Sequence, residues 1–444
     1  MDSPTSSGRP PIVIVGGGAG GLELAARLGL VLGQDMVTLV DSRPFHIWKP
    51  SLHEVAAGTL DIHQEGLSYL MLAHMRGFTF ARGELLAVDR ERRTIRIDKV
   101  VDAAGQTILP ERELHYDTLV LALGSISNFF NTPGAAEYAV TLDSTDAAEA
   151  FRLTMLKNMA LVNQAREHDP QAHLRLVIVG GGATGVELAV ELREASHVVS
   201  AYGLKNFDPD RDLAITLVEG APRILSPLSE KISRAAHARL TTLGIKVETQ
   251  CRVAQITPSE VRTADGRAFP ADLCVWAAGI QGPPVLAGLG LPLNRLGQLE
   301  VNAQLESPDP HILALGDCCA APWGEGKNVP ARAQAAHQQA DYLADKILTR
   351  VQGEDEGEGE DEDDRPYAYR DNGSLVSLGR EAGVGSLMGK LSGRGLFVSG
   401  TLARWMYMSL HLMHHRAVLG FWRTAALALA RLLMRRTQPR VKLH

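Results

Sequence analysis

Ile12-Val13-Ile14-Val15-Gly16-Gly17-Gly18-Ala19-Gly20-Gly21 is the stretch that decides the fold of this 444-residue chain. Four branched apolar residues of strand length run into a glycine turn, and Leu22 to Leu32 then reads as a helix. A second apolar run, Met36 to Val40, ends at Asp41, which is 20 residues beyond Gly21. Strand, glycine turn, helix, strand and terminal acid at this spacing form a dinucleotide-binding unit. Gly16 permits the tight turn, Gly18 lets the backbone approach a pyrophosphate, and Gly21 allows close helix–strand contact. The helix N-terminus aims free N–H groups at the phosphates. Asp41 stands where a carboxylate accepts from an adenosine ribose.

The pattern recurs. Arg175 to Val179 reads as a strand entering Gly180, Gly182 and Gly185, with a helix from Val186 to Leu192 and a strand from Ala214 to Val218 ending at Glu219. The 34-residue gap from Gly185 to Glu219 exceeds the usual spacing, and the polar Leu204–Asp212 segment accounts for it as a helical extension and loop. A carboxylate at Glu219 accepts from a 2′-hydroxyl and repels a 2′-phosphate, which favours NADH over NADPH, although Arg223 is close in sequence. Tyr116 to Gly124 and Ala271 to Gly279 are also alike, each a buried strand closing on a small-residue turn. Two copies of one architecture are expected. They predict an α/β flavoprotein oxidoreductase whose first unit holds the flavin.

Between these landmarks the chain is less decisive. Ser42 to Pro50 reads as a loop, and Leu52 to Gly58 as a short helix lying along a cofactor or crossing the surface. Residues 78–98 read as a small antiparallel insert, as do Val247–Ile256 and Glu260–Arg267. Residues 144–168 read as helix. Gly316-Asp317 closes a short apolar strand, so Asp317 binds a cofactor hydroxyl or caps a helix. Asn328 to Ile347 reads as a helix on which Gln334 and Gln338 share a face among alanines. Such a face admits a planar ligand or packs closely on another element.

Composition sets outer limits. A net charge of -6 argues against a general nucleic-acid binder. The four cysteines form no CxxC pair, so neither a disulfide scaffold nor a zinc site is indicated. Residues 1–10 read as a disordered lead without a hydrophobic signal segment. Residues 353–364 hold nine acids and three glycines without calcium-loop spacing, and read as a solvated loop. No metal is assigned. From Arg365 onward there are 13 Lys plus Arg and two acids. Residues 402–436 combine Trp405, Phe421, Trp422 and many Leu and Met with six arginines and no acid. That suits an interfacial helix on an anionic bilayer, or a helix pair packed on the body or at a dimer interface. No run of 18 uncharged apolar residues occurs.

Over roughly residues 11–435 the chain resembles the type II, non-proton-pumping NADH:quinone oxidoreductases. The two glycine units fit the wider two-dinucleotide-binding flavoproteins. Gly316-Asp317, the Ala333-Gln334-Ala335-Ala336-His337-Gln338-Gln339 helix and the basic apolar tail narrow the match. The resemblance implies two Rossmann-like domains of the disulfide-reductase type plus a C-terminal membrane-associating helical region. Residues 11–143 and 301–350 would form the FAD domain, 144–300 the NADH domain, 351–366 an acidic loop, and 367–444 the membrane and quinone region. Non-covalent FAD would lie on Gly16, Gly18, Gly21, Asp41, Gly124, Gly316 and Asp317. NADH would lie on Gly180, Gly182, Gly185, Glu219 and Gly279. Glu187 would stand near nicotinamide and flavin, and Gln334, Gln338 and Lys390 near ubiquinone or menaquinone. Homodimers seated monotopically on the cytoplasmic membrane face are further implications. His337 and the acidic insert depart from the pattern. Rival readings are a sulfide:quinone oxidoreductase, which needs a redox cysteine pair where this chain has Cys318-Cys319, another pyridine-nucleotide-dependent flavoprotein reductase, and a non-catalytic FAD/NADH-binding redox sensor.

Overall fold

A computed structural model describes residues 11–324, 326–356, 365–379, 383–388, 395–434 and 441–443. The expected disordered lead, most of the acidic stretch and Lys390 lie outside the described residues. Its principal elements are β1 (Ile12–Val15), α1 (Ala19–Leu32), β2 (Val37–Asp41), β3 (Thr79–Arg82), β4 (Thr118–Leu121), β5 (Val140–Thr141), α2 (Thr145–Ala165), β6 (Leu174–Val179), α3 (Ala183–Ala201), β7 (Leu213–Val218), β8 (Lys246–Glu248), β9 (Leu273–Trp276), β10 (Ile312–Ala314), α4 (Ala333–Glu356), β11 (Gly373–Ser377), β12 (Gly383–Met388), β13 (Gly395–Ser399), α5 (Thr401–Leu419) and α6 (Phe421–Met434).

Two five-stranded parallel sheets carry the fold, in the orders β10-β4-β1-β2-β3 and β5-β9-β6-β7-β8. Every residue of β1 is buried, as an all-parallel sheet covered on both faces requires. β1 pairs in register with β2 and β4, so the turns after Val15 and Leu121 lie side by side. β6 stands between β7 and β9 in the same way. Each sheet thus gathers its glycine turn, its acid and its second small-residue turn at one carboxyl edge.

The glycines are forced by contact. A Cβ on Gly16 would lie 2.3 Å from Ala122 O, and one on Gly21 would lie 2.0 Å from Gly16 O. In the second unit a Cβ on Gly180 would meet Ala277 O at 2.6 Å, and one on Gly185 would meet Gly180 O at 1.9 Å. Gly16 and Gly180 also have φ of 108° and 114°, which side chains rarely adopt. The repetition seen in the sequence is therefore a repetition of atomic contacts.

Three segments differ from the sequence reading. Thr79–Arg82 is the parallel edge strand of the first sheet, and the antiparallel insert is Leu85–Asp89, Thr94–Ile97 and Arg112–His115. The run from Val247 divides in two: β8 joins the parallel sheet, and Val253–Ile256 opens an antiparallel sheet with Glu260–Thr263 and Ala268–Pro270. Gln250, with φ of 56°, turns the chain between them. The 402–436 helix is two helices broken at Gly420, whose φ is 84°. Glycine supplies a backbone conformation there that ends the first helix.

Gly21→Ala is expected to lower the free energy of unfolding by about 1–3 kcal/mol, since a buried backbone oxygen must move. Gly18→Ala, whose Cβ meets nothing within 4 Å, is expected to stay within about 0.5 kcal/mol. Denaturant midpoints of the two variants, compared with the parent, check this contrast.

Candidate active site

The first glycine turn forms an open cradle. Gly18 is the N-cap of α1 and no side chain caps that helix. Its first N–H groups therefore need a partner from outside the helix, and an anion fits. A Cβ at Gly18 or Gly124 would touch nothing within 4 Å, so both turns face free space. Asp41 fastens the turn: its Oδ2 accepts from Gly17 N at 2.7 Å and its Oδ1 from Arg43 N at 2.9 Å. Burial raises the Asp41 pKa, opposed by the Arg43 and Gly17 amides and the Arg43 charge. From the opposite side Tyr69 Oη donates to Gly17 O at 2.7 Å, and His46 Nδ1 lies 2.9 Å from the same oxygen.

The Gly316-Asp317 turn closes on this cradle from β10. Ser125 Oγ donates to Asp317 Oδ2 at 3.0 Å, and Lys49 Nζ donates to Ser125 O at 2.7 Å. Gln339 Oε1 accepts from Gly316 N at 2.7 Å, and Gln298 Nε2 donates to Asp317 O at 2.8 Å. Gly16, Gly18, Gly21, Asp41, Gly124, Gly316 and Asp317 are thereby brought to one sheet edge. One uncapped helix N-terminus, a second turn open to free space and the acid at Asp317 fit FAD. Ser125, Gln298, Gln339 and Lys49 were not reached from the sequence. Gln339 adjoins Gln338, but spacing on a helix face does not say which glutamine turns inward.

The second cradle repeats the first. Gly182 is an N-cap of α3 without a side-chain cap, and a Cβ there meets nothing within 4 Å. Glu219 Oε2 accepts from Gly181 N and Oε1 from Ala221 N, both at 2.6 Å. Arg223 turns away, its guanidinium donating to the carbonyls of Leu225, Ser226 and Leu228. Phe130 lies over Gly279, where an added Cβ would meet its ring at 2.3 Å.

Glu187, two residues beyond Gly185 on α3, is buried. Its Oε1 accepts from Ser377 N at 2.9 Å, and its Oε2 lies 3.8 Å from His53 Nδ1. Burial pushes the Glu187 carboxyl up to about 8, with Glu54 and Glu191 adding repulsion against the Ser377 amide. Burial pushes His53 down to about 4. At neutral pH the two are thus an uncharged acid beside an uncharged imidazole, not an ion pair. Gln334 and Gln338 face residues 370–373. Gln334 donates to Gly373 O and accepts from Asn372 N, while Gln338 donates to Arg370 O and accepts from Arg370 N.

Comparison with known proteins now gives this geometry a context. Residues 10–340 match the family model described as pyridine nucleotide-disulphide oxidoreductase. A type II NADH:quinone oxidoreductase of Haemophilus influenzae is 38% identical over 450 residues, covering 98% of this chain and 99% of its own. The chain belongs to the type II NADH:quinone oxidoreductase family. A demethylphylloquinone reductase of Synechocystis is 30% identical and covers 89% of each chain. In three dimensions the type II oxidoreductase fold is shared with NDH2 from Plasmodium falciparum, solved in complex with NADH, at a TM-score of 0.80 and 19% identity over 97% of this chain and 99% of that one.

The sulfide:quinone oxidoreductase of Aquifex aeolicus shares the fold at a TM-score of 0.69, with 17% identity over 97% of this chain and 96% of its own. The cysteines of this type II oxidoreductase do not offer the reactive pair of that rival reading. All four are free and buried, and burial pushes the Cys318 thiol up to about 12 and raises that of Cys319 well above the usual thiol range. Membership of the type II family makes FAD the cofactor and NADH a substrate.

The Glu187 environment has a measurable consequence. Its folded pKa of about 8 lies above the ordinary 4.5, so the native state holds the proton longer than the unfolded chain. Stability contributed by that proton is full below about pH 4.5 and is lost as pH rises through about 8. Glu187→Gln, which stays neutral, is expected to flatten this decline. Thermal midpoints measured across that interval for parent and variant give the difference.

Proposed function

We propose that the protein passes two electrons from NADH to a membrane quinone, ubiquinone or menaquinone, without pumping protons, using the residues gathered at the two sheet edges. The observation that carries this reading is the pair of glycine-turn cradles, each at an uncapped helix N-terminus and each fastened by its own acid. Bound FAD supplies the relay that accepts two electrons from one substrate and gives them to the other. Gly16, Gly18, Gly21 and the α1 N-terminus hold its pyrophosphate, Asp41 its adenosine ribose, and Asp317 its ribityl chain. Gly124 leaves the backbone open for close approach.

In the second cradle Gly180, Gly182, Gly185 and Gly279 receive NADH, and Glu219 accepts from the ribose 2′-hydroxyl. With Arg223 bonded to its own loop, Glu219 is left to disfavour a 2′-phosphate. Glu187 holds a proton at neutral pH and keeps negative charge away from the nicotinamide face. Gln334 and Gln338 shape the quinone side by fixing residues 370–373, and the family resemblance alone assigns Lys390 to the quinone.

Among the described residues no helix is long and apolar enough to cross a membrane. The protein instead docks on an anionic membrane surface, on the cytoplasmic face, through α5 and α6, and assembles as a homodimer. Met413, Phe421, Trp422, Leu429 and Leu433 are exposed on this helix pair, Trp422 to 82%. Arg416 and Arg423 lie among them. Nearby Arg76 ties the pair to the body through Val418 O at 2.5 Å.

Anaerobic mixing of the FAD-loaded protein with NADH should bleach the flavin, and a water-soluble quinone should restore its colour at a rate matching steady-state turnover. Bleaching without quinone-dependent recovery would refute the reading. The triple variant Trp422→Ser, Leu429→Ser, Leu433→Ser should bind anionic liposomes at least ~10-fold more weakly, because one such side chain contributes about 1.5–3 kcal/mol when buried. Unchanged flotation with the vesicles would rule out the docking face. Substitution is the better test here than removal of the tail, because Val441 is buried and Lys442 pairs with Glu149 and Asp61 on the body.

A further inference from the structure

Outside both cradles, three helices bring one carboxylate and two imidazoles to a single buried point. Glu23 lies on α1 just beyond the glycine turn, His337 on α4 between the two glutamines, and His414 on α5. Glu23 Oε2 is 2.5 Å from His337 Nδ1, and Glu23 Oε1 is 2.9 Å from His414 Nδ1. One ligand atom from each of the three lies within 4.8 Å of the others. Glu23 and His414 are buried, while the His337 side chain keeps 25% exposure and leaves a way in from solvent.

The proton positions around this point follow from its neighbours. His414 Nε2 lies 2.8 Å from His46 Nε2, and His46 Nδ1 lies 2.9 Å from Gly17 O. A carbonyl oxygen only accepts, so His46 carries its proton on Nδ1. A neutral His46 then accepts at Nε2, and His414 must carry its proton on Nε2. That leaves the bare Nδ1 of a neutral His414 facing a carboxylate oxygen inside the protein. Two acceptors facing one another need a cation between them. A proton satisfies one such contact, whereas a divalent cation satisfies the carboxylate and both imidazoles together.

We propose that Glu23, His337 and His414 bind one divalent cation of the zinc class. Two imidazole nitrogens and one carboxylate suit zinc; calcium and magnesium prefer oxygen alone. Three protein ligands leave a fourth position for water. His46 is the positioning residue, since a ligating histidine is ordinarily oriented by a hydrogen bond from its other ring nitrogen. Trp48 packs on the rings of His337 and His414 at centroid distances of 5.5 and 4.5 Å and holds their planes. The bound cation ties the nucleotide helix to the glutamine helix and to the helix pair that meets the membrane. Residues 23, 337 and 414 are too widely spaced for any sequence pattern to announce them.

The full-length, FAD-loaded protein, stripped with a chelator and dialysed, is titrated with Zn2+ by calorimetry and with Co2+ by visible absorption. One Zn2+ per chain, a Co2+ band that Zn2+ abolishes, and a raised melting midpoint are expected. His337→Gln and His414→Gln should each weaken Zn2+ binding by ~100-fold or more, and His46→Gln by ~10–100-fold. His237→Gln, at an exposed histidine, should bind as the parent does. Flavin absorbance and bleaching by NADH report whether each variant is folded, independently of metal content. Absence of stoichiometric Zn2+ binding, or binding unaltered in His337→Gln and His414→Gln, overturns the proposal. Should those variants lose the flavin, X-ray absorption of the parent's Zn2+ complex decides: a shell of two imidazoles with oxygen supports the site, and any other shell overturns it.

Discussion

The close contact of a helix's third glycine with the first glycine's carbonyl oxygen is the constraint on which this structure depends. Gly21 against Gly16 O, and Gly16 against Ala122 O, leave no room for even one methyl group. Because the chain passes that tightly, α1 starts directly over the carboxyl ends of β1 and β4. Its unpaired N–H groups then face outward at the sheet edge and not into the core. Gly185, Gly180 and Ala277 reproduce the arrangement to within a few tenths of an ångström. Any side chain large enough to displace the helix start would remove the anion site with it, so fold and phosphate binding are one constraint.

The acids extend this logic. Asp41 and Glu219 each bind the amide of the middle glycine and the amide two residues ahead of themselves. A carboxylate has about four acceptor directions, so two backbone amides leave capacity for a ribose hydroxyl. The same group therefore fixes the turn before a ligand arrives and keeps acceptor capacity for one. Preorganisation of this kind lowers the ordering cost of binding.

What the sequence made legible was what local sterics dictate. Glycine spacing, strand-end acids and the Ala271–Gly279 echo of Tyr116–Gly124 are short-range patterns, although the contacts of Gly16 with Ala122 and of Gly180 with Ala277 join strands distant in sequence. The rest is long-range. The face shared by Gln334 and Gln338 is real, but it meets residues 370–373, while the neighbouring Gln339 reaches Gly316. Helical spacing defines faces and cannot say which element each face meets. Arg223, beside Glu219 in sequence, is turned aside by three carbonyls of its own loop. Val247 to Ile256 reads as one strand because its apolar pattern is continuous, yet the positive φ of Gln250 sends its two halves to different sheets.

The glycine-turn helix α1 also links the first cradle to the C-terminal helix pair. Its first turn opens on free space at Gly18, and at Glu23 it lies against His337 of α4 and His414 of α5. Through His46 the same network returns to Gly17 O, the carbonyl that Tyr69 also holds. A displacement of α5 would thus be felt at the glycine turn through a few short contacts between buried groups. Buried polar contacts of this kind cost more to break than surface ones, because the freed groups find no water. The helix pair is therefore mechanically continuous with the flavin cradle.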